Sequence, residues 1–170
     1  MNLIRTAVLA AAALLLAACY MSREPLLDSR DATWPIAEGT YTRIAEIGGK
    51  REDIEFRRRG AWYNVTVAGQ APRQLMFQEL GEINGADAYA YMTRSGEEYY
   101  YGVMLLYRNS IEEIVPDCSE DFAAARRAGA RETDDGECVF TDPDQILQAL
   151  EDVARDGRPD YRIVRRQWGY

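Results

Sequence analysis

The sequence predicts an α+β, mainly β domain: an antiparallel meander sheet or partly closed barrel of about seven strands, with two helices at its C-terminal end. Three observations carry this expectation. Turn signals recur at intervals of about 8 to 15 residues, at Gly48-Gly49, Arg59-Gly60, Gly69, Asn84-Gly85, Ser95-Gly96 and Asn109. Between them, apolar and polar residues alternate with the period of two that sets the faces of a strand. After Pro116 the apolar period lengthens to that of a helix.

Taken in order, the strands fall at 38–47, 51–58, 61–68, 73–80, 87–93, 97–108 and 111–115. Ile54 and Phe56 alternate with Asp53, Glu55 and Arg57. Val65 and Val67 are flanked by Asn64 and Thr66. Leu75 and Phe77 alternate with Gln74, Met76 and Gln78. The strongest strand runs from Glu98 to Arg108. Tyr99, Tyr101, Val103, Leu105 and Tyr107 share one of its faces, and Tyr100, Gly102, Met104 and Leu106 the other. A strand apolar on both faces belongs in the middle of a sheet.

Beyond Pro116, Ser119 is placed to cap a helix over 120–128 that stops at Gly129. An acidic loop over 130–137 and a short strand at 138–140 follow. Thr141 is placed to cap a second helix, with Pro143 in its first turn and Asp144 completing a variant of the capping box. Ile146, Leu147, Leu150, Val153 and Ala154 form one apolar stripe at helical spacing, and Gly157 ends it. A last strand over 161–164 closes the pattern.

The chain opens on a different kind of segment. Arg5 supplies a positive charge, and residues 7–18 form an apolar run of 12, too short for the roughly 20 residues that span a bilayer but right for the core of an export signal. The run ends in Leu16-Ala17-Ala18-Cys19, which resembles the lipobox of bacterial lipoprotein signals. The resemblance implies cleavage before Cys19, a diacylglycerol thioether on Cys19 and acylation of its amine by a palmitate-type chain. Two or more chains anchor stably where one is marginal. In that family an Asp after the Cys favours inner-membrane retention. Tyr20 in its place implies the outer membrane, with the domain facing the periplasm. The expected organisation is therefore a signal at 1–18, a lipidated N-terminus and flexible tether at 19–33, and a single periplasmic β-rich domain at 34–170.

An exported chain folds in an oxidising compartment, where the two remaining cysteines, Cys118 and Cys138, are expected to form a disulfide. The bridge would tie the start of the first helix to the strand before the second.

Composition excludes several classes of function. The whole chain carries a net charge of −8, which argues against a general binder of nucleic acid or of anionic membrane surfaces. The chain has no histidine, which removes the commonest general base, metal ligand and triad member. Its single lysine, Lys50, lies in a glycine turn. The acidic pairs Glu52-Asp53, Glu97-Glu98, Glu112-Glu113 and Asp134-Asp135 point to opposite faces of their strands and are expected to be solvated at strand ends. The acidic run from Glu132 to Asp144 lacks the alternation and central glycine of a calcium loop, so neither metal nor cofactor is expected.

Two surface features remain as functional leads. Tyr89, Tyr91, Tyr99, Tyr101 and Tyr107 are the candidate binding face, since tyrosines on neighbouring strands line ligand cups as well as cementing sheets. Arg57-Arg58-Arg59 and the group Arg155, Arg158, Arg162, Arg165 and Arg166 are candidate docking sites for an anionic partner. The expected function is non-enzymatic: a membrane-anchored binding or interaction module, with an envelope protein as the natural partner. The opening Glu38-Gly39-Thr40-Tyr41, followed by a meander, also resembles lipocalin-like barrels, although that family's Trp is absent. That resemblance implies the alternative of a small-ligand container. A carboxylate-dependent hydrolase is the third reading.

Overall fold

A computed structural model of the protein describes residues 20–165. The export signal, Cys19 and Arg166 lie outside the described residues. The elements, in order, are β1 (Tyr20–Ser22), β2 (Gly39–Ala45), β3 (Arg51–Arg59), β4 (Trp62–Val67), β5 (Arg73–Ile83), β6 (Ala86–Ser95), β7 (Glu98–Leu106), β8 (Ile111–Ile114), α1 (Cys118–Arg127), β9 (Arg131–Glu132), β10 (Cys138–Val139), α2 (Pro143–Asp156) and β11 (Tyr161–Arg165).

The seven meander strands form as expected, and the sheet closes fully rather than partly. β2 to β8 pair in sequence order, each antiparallel to the next. The last strand supplies the eighth stave: β11 pairs with β8 on one side and β2 on the other. Closure gives each of these eight strands a partner on both sides. The turn between β5 and β6 is the two-residue kind that favours positive φ, and Asn84 and Gly85 adopt φ of 53° and 76°.

β7 organises the rest. It is longer than its neighbour β8, which covers only Val103 to Leu106. The uncovered stretch Tyr99–Tyr101 takes β1 as its partner, and β1 in turn pairs with β10 in parallel. The stretch expected as a flexible tether is therefore part of the fold. Tyr20, Met21, Ser22 and Leu27 are buried, and Thr33 N–H donates to the Phe77 carbonyl at 2.9 Å. A strand of three residues has no readable period, and the free backbone groups of β7 are what recruit it.

Two cores result. One fills the barrel lumen. The other lies outside the barrel, where Met76, Ala88, Ala90, Met92, Tyr101, Val103 and Leu105 meet the helices. The alanines on β6 leave room for α2, which buries Ile146, Ala149, Leu150, Val153 and Ala154. Leu147, placed on that stripe by spacing, is only half-buried. β7 is apolar on both faces because one faces the lumen and the other the helices.

The helix caps differ from those expected. α1 starts at Cys118 and is capped by Asp117, whose carboxylate accepts from Ser119 N–H at 2.8 Å and from the Ser119 hydroxyl at 2.6 Å. α2 is capped by Asp142, not Thr141. Asp142 accepts from Asp144 N–H at 2.9 Å and Gln145 N–H at 3.1 Å. In both cases an Asp stands close to the predicted hydroxyl residue, and its charge also favours the positive end of the helix. The loop expected over 130–137 carries β9, paired with β10.

Cys118 and Cys138 are joined, with Cα atoms 5.4 Å apart. The bridge links α1 to β10, whose Cys138 pairs with Tyr20 of β1. It thus ties the outer layer to the barrel wall. Replacing both cysteines with serine is expected to cost about 3 kcal/mol, the loop entropy of a bridge of this length. Urea unfolding with and without reductant checks it: the reduced wild type and the double variant should unfold at the same lowered midpoint.

Candidate functional site

Strand alternation sends Tyr41 and Arg43 of β2, Ile54 and Phe56 of β3, Tyr63 and Val65 of β4, Leu75 and Phe77 of β5, Tyr91 of β6, Met104 of β7, Ile111 of β8 and Ile163 of β11 into the lumen. Aromatic rings form a chain around the inner wall. Tyr41 to Phe56, Phe56 to Tyr63, Tyr63 to Phe77 and Phe77 to Tyr91 meet at centroid distances of 5.5, 6.0, 5.5 and 6.2 Å, all edge-on. Each such pair is worth about 0.5 to 1.5 kcal/mol beyond its buried area. At this end Ile36 closes the barrel. The Tyr63 hydroxyl donates to the Ile36 carbonyl at 2.7 Å and accepts from its N–H at 3.2 Å, and the Tyr41 hydroxyl donates to the Ala37 carbonyl.

Toward the other end the lumen turns polar. Glu113 of β8 is fully buried. Its Oε2 accepts from Arg43 Nε at 2.9 Å and is 2.9 Å from Arg43 Nη2. Its Oε1 accepts from the Tyr91 hydroxyl at 3.3 Å and lies 3.5 Å from Arg73 Nη2. Arg43 is stacked on the Tyr161 ring, 3.3 Å from its centroid, and its Nη1 is 3.8 Å from Glu52. Lys50 closes the series at 2.7 Å from Glu52, and its ammonium holds that carboxylate below its ordinary pKa. Gly102 makes room for this arrangement. A Cβ on it would come within 2.5 Å of the Tyr91 ring.

Neither Glu113 nor Arg43 is among the residues that the sequence nominates. Glu112-Glu113 reads as a solvated pair, yet only Glu112 faces outward. Parity held the missing signal: Glu113 is two residues from Ile111, and Arg43 two from Tyr41, so both share the inward face.

The candidate tyrosine face is not one face. Tyr91 points into the lumen, and the half-buried Tyr89 shares its side of β6. Tyr101 points outward beneath the N-terminal segment. Its hydroxyl is 2.6 Å from Ser22 Oγ and accepts from Leu26 N–H at 3.0 Å, and burial raises its pKa. Tyr99 lies half-buried on that outer side, with the Arg94 guanidinium 5.8 Å from its ring centre. Tyr107 lies past the end of β7. Alternation along β7 places Tyr99 and Tyr101 on one side of the strand. It says nothing of how β6 is turned, and β6 is turned inward at Tyr91.

The arginine groups also divide. Arg57 pairs with Glu55 at 2.8 Å, whereas Arg58 has its Nη2 donating to the Trp34 carbonyl at 3.3 Å. Arg155 is held by Glu151 and Asp152, and Arg162 lies 3.5 Å from Glu46. Two of the open surface concavities involve these tyrosines and arginines. One, of about 1170 Å³, is lined by Ile36, Tyr41, Leu106, Tyr107, Ile111, Ile163 and Arg165. The other, of about 680 Å³, is lined by Glu55, Arg57, Arg59, Asn64, Thr66, Arg73, Gln74 and Arg94.

With this geometry in hand, comparison with protein-family models, with curated proteins and with solved structures finds no match.

The Glu113 clamp makes a quantitative demand. Glu113→Met strands Arg43 and Arg73 without their shared anion and is expected to destabilise by about 3 to 5 kcal/mol. Adding Arg43→Met removes one stranded charge, so the double variant should be more stable than Glu113→Met alone. A double-mutant cycle in urea checks the coupling.

Proposed function

We propose that the protein is a lipid-anchored, periplasm-facing outer-membrane lipoprotein. In this reading it works as a non-enzymatic binding or interaction module through the outer surface of its barrel. The observation that carries the second half is the filled lumen: aromatic rings and Ile36 occupy one end and the Arg43–Glu113 cluster the other. A barrel packed in this way contributes rigidity, and its contacts with other molecules fall to the outside. The first half rests on Arg5, the short apolar run and Leu16-Ala17-Ala18-Cys19. Since β1 begins at Tyr20, the residue after the anchor, the module would sit directly at the bilayer with no spacer.

A second reading, the lipocalin-like container, is favoured by one feature. The larger concavity brings Ile36, Tyr41, Leu106 and Ile111 to an open rim at one end of a β-barrel.

Two measurements test these readings. Cys19→Ala should abolish acylation, seen as loss of radiolabelled palmitate and of recovery in the membrane fraction. An acylated Cys19→Ala chain would sink the anchor. Native mass spectrometry of the full processed chain in neutral detergent should show the lipidated mass alone. A small-molecule adduct lost on denaturation would replace the module reading with the container.

A further inference from the structure

We propose that the groove on the outer face of β3 to β6 is a binding site for phosphate-bearing ligands. It builds on the reading of the outer surface as the working surface. Register places Arg57 opposite Asn64, and Asn64 opposite Gln74. Arg94 follows Thr93, the partner of Leu75, and so continues the same row beyond Gln74. The row crosses four strands, or about 14 Å at the usual strand spacing. Arg59 lies two residues from Arg57 on the same side of β3, and Thr66 two from Asn64 on β4. Between the arginines the groove is neutral and polar, and Gln74 Nε2 donates to Asn64 Oδ1 at 3.3 Å.

The charges in this groove do not cancel. Three outward-facing arginines, Arg57, Arg59 and Arg94, line it against one acid, Glu55, which is already paired with Arg57. Arg59 makes no ion pair among the described residues. Arg73 borders the groove but shares the inward face with Leu75, and its guanidinium turns into the lumen, 3.5 Å from Glu113. On a chain of net charge −8, a local excess of two positive charges, three arginines against one glutamate, is a property of the site and not of the composition.

A single carboxylate carries too little charge to balance this groove. A phosphate group brings up to two negative charges and several acceptor oxygens, and guanidinium forks engage it in pairs. The Asn64 and Gln74 amides and the Thr66 hydroxyl between the arginines suit the hydroxyls of a sugar or glycerol that bears the phosphate. A soluble phosphate ester and a phospholipid headgroup share this chemistry.

Isothermal titration of the full processed chain in neutral detergent tests the site. Inorganic pyrophosphate is the probe in one arm, and micelles doped with phosphatidylglycerol in the other. The expected result is saturable binding in at least one arm, weakened at least tenfold by Arg57→Gln with Arg94→Gln and unchanged by Lys50→Gln, which lies outside the groove. Both groove arginines are exposed, so the double variant should keep the wild-type unfolding midpoint. Binding of pyrophosphate alone assigns a soluble ester, and binding of doped micelles alone assigns a headgroup. Equal affinity for citrate, an equal loss in Lys50→Gln, or no difference between wild type and double variant overturns the proposal. A small-molecule adduct that persists in Arg57→Gln with Arg94→Gln would defeat the module reading without moving this titration, so the two failures are distinguishable.

Discussion

A carboxylate taken wholly out of water must have its oxygens met by donors, or its burial costs several kcal/mol. In this barrel that carboxylate is Glu113, and the groups that meet it come from three other strands: Arg43 from β2, Arg73 from β5 and Tyr91 from β6. β8, which carries it, is only four residues long and hydrogen-bonds to β7 and β11. The clamp therefore spans the lumen between strands that are not neighbours in the sheet. An apolar core of the same volume would pack as well but would not fix which strand lies opposite which. One buried charge that requires particular partners favours the arrangement in which Arg43, Arg73 and Tyr91 reach it.

The same residues set limits on their surroundings. Tyr91 reaches Glu113 only because Gly102 on the neighbouring strand leaves the space its ring occupies. Tyr91 is also the last member of the edge-on aromatic chain that begins at Tyr41. On the far side of the lumen, Arg43 leans on Tyr161 of the closing strand β11. The charged end and the aromatic end of the lumen are thus one continuous packing problem, joined at Tyr91. Closure of the barrel by β11 depends on both: Ile163 enters the aromatic end, and Tyr161 stacks at the charged one.

How much of this was legible follows from where period-two patterning is clean. β3, β4 and β5 alternate plainly, β7 reads as a run apolar on both faces, and each forms where its pattern places it. The helices announce themselves through Pro143, Gly129, Gly157 and the stripe from Ile146. What the sequence hid is long-range. β1 is too short to show a period and is held by backbone groups left free by the mismatch between β7 and β8. Closure was hidden because nothing in the stretch from Tyr161 to Arg165 names both of its partners. Glu113 and Arg43 were hidden by their chemistry, since charged residues are by default assigned to water. Their parity contradicted that default. The tyrosines were grouped by spacing along single strands, whereas sharing a face across strands requires the register. In that register Tyr91 meets Gly102 on the lumen side, and the residue opposite Tyr101 on the outer side is Met92.

A barrel that fills its own lumen gives up the interior as a place for ligands and gains a stiff wall on which surface groups keep their spacing. That matters most for arginines, whose long side chains lose much of their freedom on binding. Arg57 and Arg94 start from strands held at a fixed separation by β4 and β5, and their backbone positions contribute no further entropy loss when an anion is engaged. The packing that makes the interior inaccessible is, on this argument, what lets a shallow external groove discriminate. The spacing of its charges is set by the hydrogen-bonded register of β3 to β6.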